Sequence, residues 1–151
     1  MSTATLNGRV IGLAHHATRA VLERELARHG VSFPQSVALT AVADAGGVMS
    51  RSGLVGRITG GLKIDEWAAA TTLTELTDAA LVEALPGHQV GLTEAGRALR
   101  GRIADAVAGI TARLYADIPA DDLAVAARVL TRVTERADAA LAAATDQGAG
   151  S

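Results

Sequence analysis

The chain has 151 residues, a formal net charge of −2, 49% hydrophobic residues, 2% aromatic residues and no cysteine. This is the length of one domain, here residues 1–151. The missing cysteines exclude disulfides, thiolate metal sites and cysteine nucleophiles, and a charge this close to zero gives no global positive field to draw the chain to nucleic acid or membrane. Phe33, Trp67 and Tyr115 are the whole aromatic set, and alanine is the most frequent residue, a composition suited to closely packed helices and ill suited to a β-sandwich. The opening MSTATLNGRV lacks a basic region followed by an apolar run, and no apolar stretch reaches the length that crosses a bilayer. A cytoplasmic protein without a membrane partner is expected.

Residues 1–5 and Asp146–Ser151 are small or polar and read as frayed ends. Between them helical periodicity dominates. Leu6, Val10, Leu13, Ala17, Ala20 and Val21 recur at spacings of three and four and predict a helix that continues through Leu22 and Leu26 and stops at Gly30. A second helix is predicted from Phe33–Pro34 to Ala45, with Pro34 suited to a first turn and Gly46-Gly47 closing it. A third, short helix covers about Ser50–Gly60, with Ser50 as its N-cap. A fourth runs from about Asp65 to Asp78. The period then changes. Leu81–Leu85 and Val90–Leu92 flank Pro86-Gly87-His88-Gln89, and two short apolar runs around a Pro-Gly turn read as a β-hairpin. Thr93 caps a long fifth helix with Leu99, Ile103, Val107, Ile110 and Leu114 on one stripe, ending near Asp117-Ile118-Pro119. The last helix starts around Asp121 and carries Leu123, Ala127, Leu130, Val133, Ala137 and Leu141. Long helices with a continuous apolar seam at the end of a small chain usually pack against another chain.

Three helices followed by a two-stranded hairpin make a winged helix-turn-helix. The expected fold is therefore mainly α, a winged helix-turn-helix with long N- and C-terminal dimerisation helices and one short β-hairpin. The lobe would span 33–92 and the dimerisation helices 6–30 and 93–144.

Leu76, Leu81 and Val82, followed after the hairpin by Leu92-Thr93-Glu94-Ala95-Gly96, resemble the multiple-antibiotic-resistance regulator (MarR) family. There a Leu-x-x-x-Gly-Leu-Val stretch closes the recognition helix and Leu-Thr-x-x-Gly opens the next one. Ser32–Gly47 and Ser50–Gly61 resemble the two preceding helices, so the likeness covers about residues 6–144. The resemblance implies a dimeric transcriptional regulator whose fourth helix enters the major groove of double-stranded DNA. It also implies a ligand pocket beside the first helix, between the dimer helices and the lobe. Three features depart from the family pattern. The hairpin is about half a dozen residues shorter and lacks the Asp-x-Arg whose arginine enters the minor groove. Ala80 stands where the family has glycine. Residues 64–94 hold Asp65, Glu66, Glu75, Asp78, Glu83 and Glu94 without one Lys or Arg, a local charge of −6 against +4 for the rest.

On this reading Arg51, Ser52, Arg57 and Lys63, on or just after the third helix, are candidates for phosphate contacts, or form a solvated basic face. Thr71 and Thr72 are candidates for base edges from the recognition helix, with Thr74 beside them. His88 and Gln89 at the hairpin tip are candidates for the minor groove. Asp65 and Glu66 occupy the first turn of the fourth helix, where acids commonly cap. His15, His16 and Arg19 are candidates for an anionic or aromatic ligand near the first helix. Adjacent His15 and His16 point about 100° apart and do not chelate one metal from one chain. Trp67 is expected either to pack the recognition helix on its neighbours or to line the ligand pocket.

No cofactor, metal site or catalytic residue is expected. The chain has no nucleophile elbow, no H-E-x-x-H and no phosphate loop, and GRITGGLK (Gly56–Lys63) lacks the spacing and the Lys-Ser/Thr ending of one. Whether the protein is an enzyme stays open. Two functions remain: a ligand-responsive regulator binding DNA as a homodimer, or a MarR-like fold that has left DNA and binds or transforms a small molecule at the dimer pocket. A protein-binding module that uses the acidic face to mimic DNA is a third.

Overall fold

The computed structural model describes residues 5–148. It has six helices, α1 (Gly8–Arg28), α2 (Phe33–Asp44), α3 (Arg51–Leu62), α4 (Glu66–Asp78), α5 (Glu94–Leu114) and α6 (Ala120–Gly148), and a small sheet of β1 (Val48–Ser50), β2 (Val82–Leu85) and β3 (Gln89–Leu92). The chain forms two compact units, residues 1–111 and 112–151. No helix among the described residues is long and apolar enough to cross a membrane.

In the first unit, local chemistry sets each helix start. Asn7 Oδ1 accepts from Val10 N at 3.0 Å. Ser32 and Gln35 form a reciprocal capping box, with Pro34 in the first turn. Ser50 Oγ accepts from Gly53 N at 3.1 Å, and Asp65 Oδ1 from Ala68 N at 2.8 Å. Each such cap contributes about 1 kcal/mol. The core is aliphatic. Leu26, Leu39, Val42, Leu54, Ile58, Leu73 and Leu76 have almost no exposed surface, each contributing roughly 1.5–3 kcal/mol by burial. α2 packs on α3 and α4, and α3 on α4.

The sheet has one more strand than the two-stranded hairpin of the sequence reading. β3 lies between β2 and β1, both antiparallel to it, with Val48 opposite Gly91 and Ser50 opposite Gln89. Gly46 and Gly47 take φ of 93° and 98°, turning the chain out of α2 into β1, and Gly47 O accepts from Leu92 N at 2.9 Å.

α4 ends in a Schellman turn. Ala80 N–H donates to Thr77 O and Leu81 N–H to Leu76 O, both at 3.0 Å. Ala80 holds φ at 58°, the left-handed region in which glycine is at ease and alanine is not. Thr93 ties this turn to α5. Its hydroxyl donates to Ala80 O at 2.7 Å and accepts from Gly96 N at 3.0 Å, and its N–H donates to Leu81 O at 3.2 Å. A Cβ at Gly96 would overlap the Leu81 carbonyl oxygen, so the Leu-Thr-x-x-Gly sequence is explained by this close crossing.

In the second unit α6 presents Val125, Val129, Val133 and Leu141 between 41% and 56% exposed. Asp146 to Gly148 belong to α6, where the sequence suggests fraying. The remainder of the expected frayed ends, residues 1–4 and 149–151, lies outside the described residues.

Candidate nucleic-acid interface

The hairpin tip rests on the start of α3. Pro86, Gly87 and His88 make the turn between β2 and β3, with His88 at φ 55°. His88 O accepts the N–H of Arg51, the first residue of α3, at 2.9 Å. This bond satisfies one of the amides that a helix start leaves open. It joins Arg51 and Ser52 to His88 and Gln89, four exposed candidates from two distant stretches of sequence. The third strand makes this possible, because Ser50 pairs with Gln89.

Arg57 is exposed and donates one N–H to Ala41 O at 3.4 Å, leaving further guanidinium donors. Lys63 caps α3 in the left-handed conformation, its ammonium donating to Gly60 O at 2.6 Å. At the base of the hairpin, Gly46, Gly47, Leu92, Arg97 and Arg100 line a cleft of about 320 Å³, and Arg100 reaches Asp44 at 3.7 Å. Sequence reasoning does not single out Arg97 and Arg100, which lie just past the acidic stretch. Their place directly after the Leu-Thr-x-x-Gly turn is the signal that points to them.

α4 turns Ala69, Thr72, Leu73 and Leu76 inward. Thr72 is 5% exposed and its hydroxyl donates to Ala68 O at 3.0 Å. This corrects the expectation that it reads a base edge: it sits on the core stripe, one position away from Thr71. The outer face carries Trp67, Thr71, Thr74 and Asp78, at successive spacings of four, three and four. Trp67 is 77% exposed. It therefore does not pack α4 on its neighbours, and it is not among the residues lining the cleft beside Arg97 or the cleft beside Phe33.

The six acids of residues 64–94 are not equivalent. Asp65 is the α4 cap. Glu75 Oε2 accepts from Gln35 Nε2 at 2.9 Å and so fastens α4 to α2. Glu94 stands in the first turn of α5. Glu83 is exposed on β2, Asp78 closes α4, and Glu66 is exposed beside Trp67.

A second cleft, about 230 Å³, opens between α1, α2 and α5, lined by Leu22, Phe33, Ser36, Val37, Thr40, Ile103 and Val107. Arg19 stands at its rim. The guanidinium lies 4.4 Å from the centroid of the Phe33 ring, and its Nε is 2.9 Å from Glu23 Oε1. His15 and His16 are exposed on α1, ring centroids 5.4 Å apart. Among the described residues no three His, Asp or Glu side chains could together hold a metal ion.

A helix pair carrying a three-stranded wing, with a long first and a long fifth helix, has clear structural counterparts. A MarR family transcriptional regulator from Silicibacter pomeroyi matches with a TM-score of 0.72 at 18% identity, over 87% of this chain and 88% of that one. The fold is the MarR-family winged helix. A mutant MarR from E. coli complexed with operator DNA has a TM-score of 0.71 at 22% identity, over 83% of this chain and 91% of that one. A Mycobacterium tuberculosis MarR family protein in complex with DNA has a TM-score of 0.67 at 23% identity, over 86% and 98%. No family model matches the sequence, and no curated protein matches it. Within this winged-helix fold, α4 is the helix that precedes the wing, and the β2–β3 hairpin is the wing.

Proposed function

We propose that this protein is a cytoplasmic, dimeric, DNA-binding transcriptional regulator with a small-molecule site on α1, α2 and α5. The observation that carries the reading is the bond between the wing tip and the first turn of α3. It gathers Arg51, Ser52, His88 and Gln89 at one edge, while the outer face of α4 stays uncovered. Solved structures of this fold with DNA, from E. coli and M. tuberculosis, support the same use here. Affinity would come from Arg51, Arg57 and Lys63 neutralising phosphates. Asp65 and Glu75 are held in a cap and an interhelix bond, so the fold fixes where these two carboxylates sit while their charge remains.

A second copy is the proposed partner. Leu6 just before α1, Val10 and Leu13 on α1, and Val125, Val129, Val133 and Leu141 on α6 are all at least 41% exposed in the single chain, apolar surface that association would cover. Two lobes would then present two α4 helices to half-sites about one helical turn apart.

The ligand site is the cleft beside Phe33, with Arg19 at its rim and His15 and His16 on the same helix as Arg19. An aromatic acid matches an apolar cleft with a guanidinium at its mouth, and the M. tuberculosis protein has been solved with salicylic acid. The carboxylate of such a ligand would compete with Glu23 for Arg19. Ligand release of DNA requires unequal binding to the two arrangements of the lobes.

Fluorescence anisotropy against duplexes from the protein's own upstream region tests the reading. Binding that weakens steeply with salt is expected, and absence of binding at low salt overturns it. The short wing and the acids of residues 64–94 favour a second reading, a small-molecule protein of the same fold without DNA. Stabilisation by aromatic acids with no response to any duplex would select it.

A further inference from the structure

Trp67 is the most exposed large hydrophobic side chain of the described residues. It stands second in α4, directly after the Asp65 cap and Glu66. Burying a ring of this size is strongly favourable, so folding of the single chain does not account for its position. Thr71 and Thr74 continue the same face. Thr71 donates its hydroxyl hydrogen to Trp67 O at 2.9 Å and Thr74 to Ala70 O at 3.1 Å. With those hydrogens engaged, each threonine offers an incoming base a methyl group and an acceptor oxygen. Glu66 adds only acceptors. No Lys or Arg stands on α4, so the helix lacks the forked donors that read guanine O6 and N7. Apolar surface and acceptors match a different set of edges: the C5-methyl of thymine and the amino groups of cytosine and adenine.

Resting on the DNA-binding reading above, we propose that Trp67 is a specificity-determining residue that packs its indole on a thymine methyl in the major groove. Each half-site is thereby selected for a T·A pair under the first turn of α4. Cations of α3 hold the phosphates, and apolar contact from α4 supplies the sequence preference. This division of labour follows from the composition of the face: a recognition helix without cations must discriminate through shape, methyl groups and acceptors.

The test uses full-length protein and a duplex selected by it from a random pool. Each thymine is then replaced in turn by deoxyuridine, which removes the methyl and leaves the base pair intact. One such replacement in each half-site removes two methyls and is expected to weaken wild-type binding about fifteenfold. Trp67→Ala is expected to bind the parent duplex more weakly and to bind the parent and deoxyuridine duplexes equally, while Trp67→Phe keeps the discrimination. The substitution is on the surface, so its melting temperature should match wild type. As the only tryptophan, Trp67 should also change its fluorescence on the parent duplex and less on the deoxyuridine one. Wild-type indifference to every deoxyuridine replacement, or discrimination retained by Trp67→Ala, overturns the proposal while leaving DNA binding intact. Failure to retain any duplex overturns both.

Discussion

Replacing Gly96 by alanine strikes the crossing between the end of α4 and the start of α5. The new Cβ would overlap Leu81 O, stand 3.0 Å from Leu81 C and 3.4 Å from Leu92 Cδ2. The Leu81 backbone cannot yield cheaply, because it is pinned by its N–H to Leu76 O and by its carbonyl to Thr93 N. Helix propensity alone would favour alanine by about 1 kcal/mol. Against that, overpacking costs about 1–3 kcal/mol, and parting the elements gives up the Thr93 bonds to Leu81 O and Ala80 O at about 1 kcal/mol each. The net expectation is a loss of about 2–4 kcal/mol in urea unfolding followed by circular dichroism. Gly101, in the same helix, has nothing within 4 Å of its Cβ position, so Gly101→Ala is the control and should gain up to about 1 kcal/mol. Equal stability of G96A and wild type would refute the packing argument, and a gain in both variants would reduce the Gly96 effect to helix propensity.

Other substitutions test other links. Ala80→Gly relieves an alanine at φ 58° and should raise stability by about 0.5–1 kcal/mol, or roughly 1–4 °C in melting temperature; an unchanged or lower temperature contradicts the assigned strain. Glu66→Gln removes a carboxylate from the exposed start of α4 and should tighten duplex binding roughly two- to threefold at low salt, as measured by anisotropy; unchanged affinity would show that this charge faces away from DNA. Arg19→Ala should reduce the thermal stabilisation by salicylate at least several-fold, since a carboxylate bonded to a guanidinium contributes about 1.5–3 kcal/mol; an undiminished shift would move the ligand elsewhere.

Much of the fold is legible in the sequence because its determinants are local. Ser50, Asp65 and Thr93 announce helix starts, and each proves to accept a backbone amide three residues on. The hairpin is visible from Pro86-Gly87 between apolar runs. β1 is not visible, because Val48–Ser50 is only three residues long and exists through its pairing with β3 and the Gly47–Leu92 bond. The candidate site was legible in composition and less so in direction. Thr71 and Thr72 are indistinguishable by type, and only the phase of α4 against Leu73 and Leu76 sends Thr72 inward. Trp67 is misread for a related reason: a large ring usually marks burial, and nothing adjacent in sequence says that α4 turns it outward. The charge of the acids is legible as a sum, but their structural roles are not. Glu75 is taken up by Gln35, forty residues away, a pairing that no local pattern encodes.

DNA held through the edge formed by α3 and the wing tip is the central claim, and the salt dependence of duplex binding by wild type and Arg51→Ala tests it most directly. Removing one phosphate interaction should reduce the slope of log affinity against log salt by about 0.9. A dimer that gives up one such interaction in each protomer should therefore bind more weakly, with a slope shallower by about 1.8. An R51A protein with unchanged affinity and unchanged slope would contradict the claim.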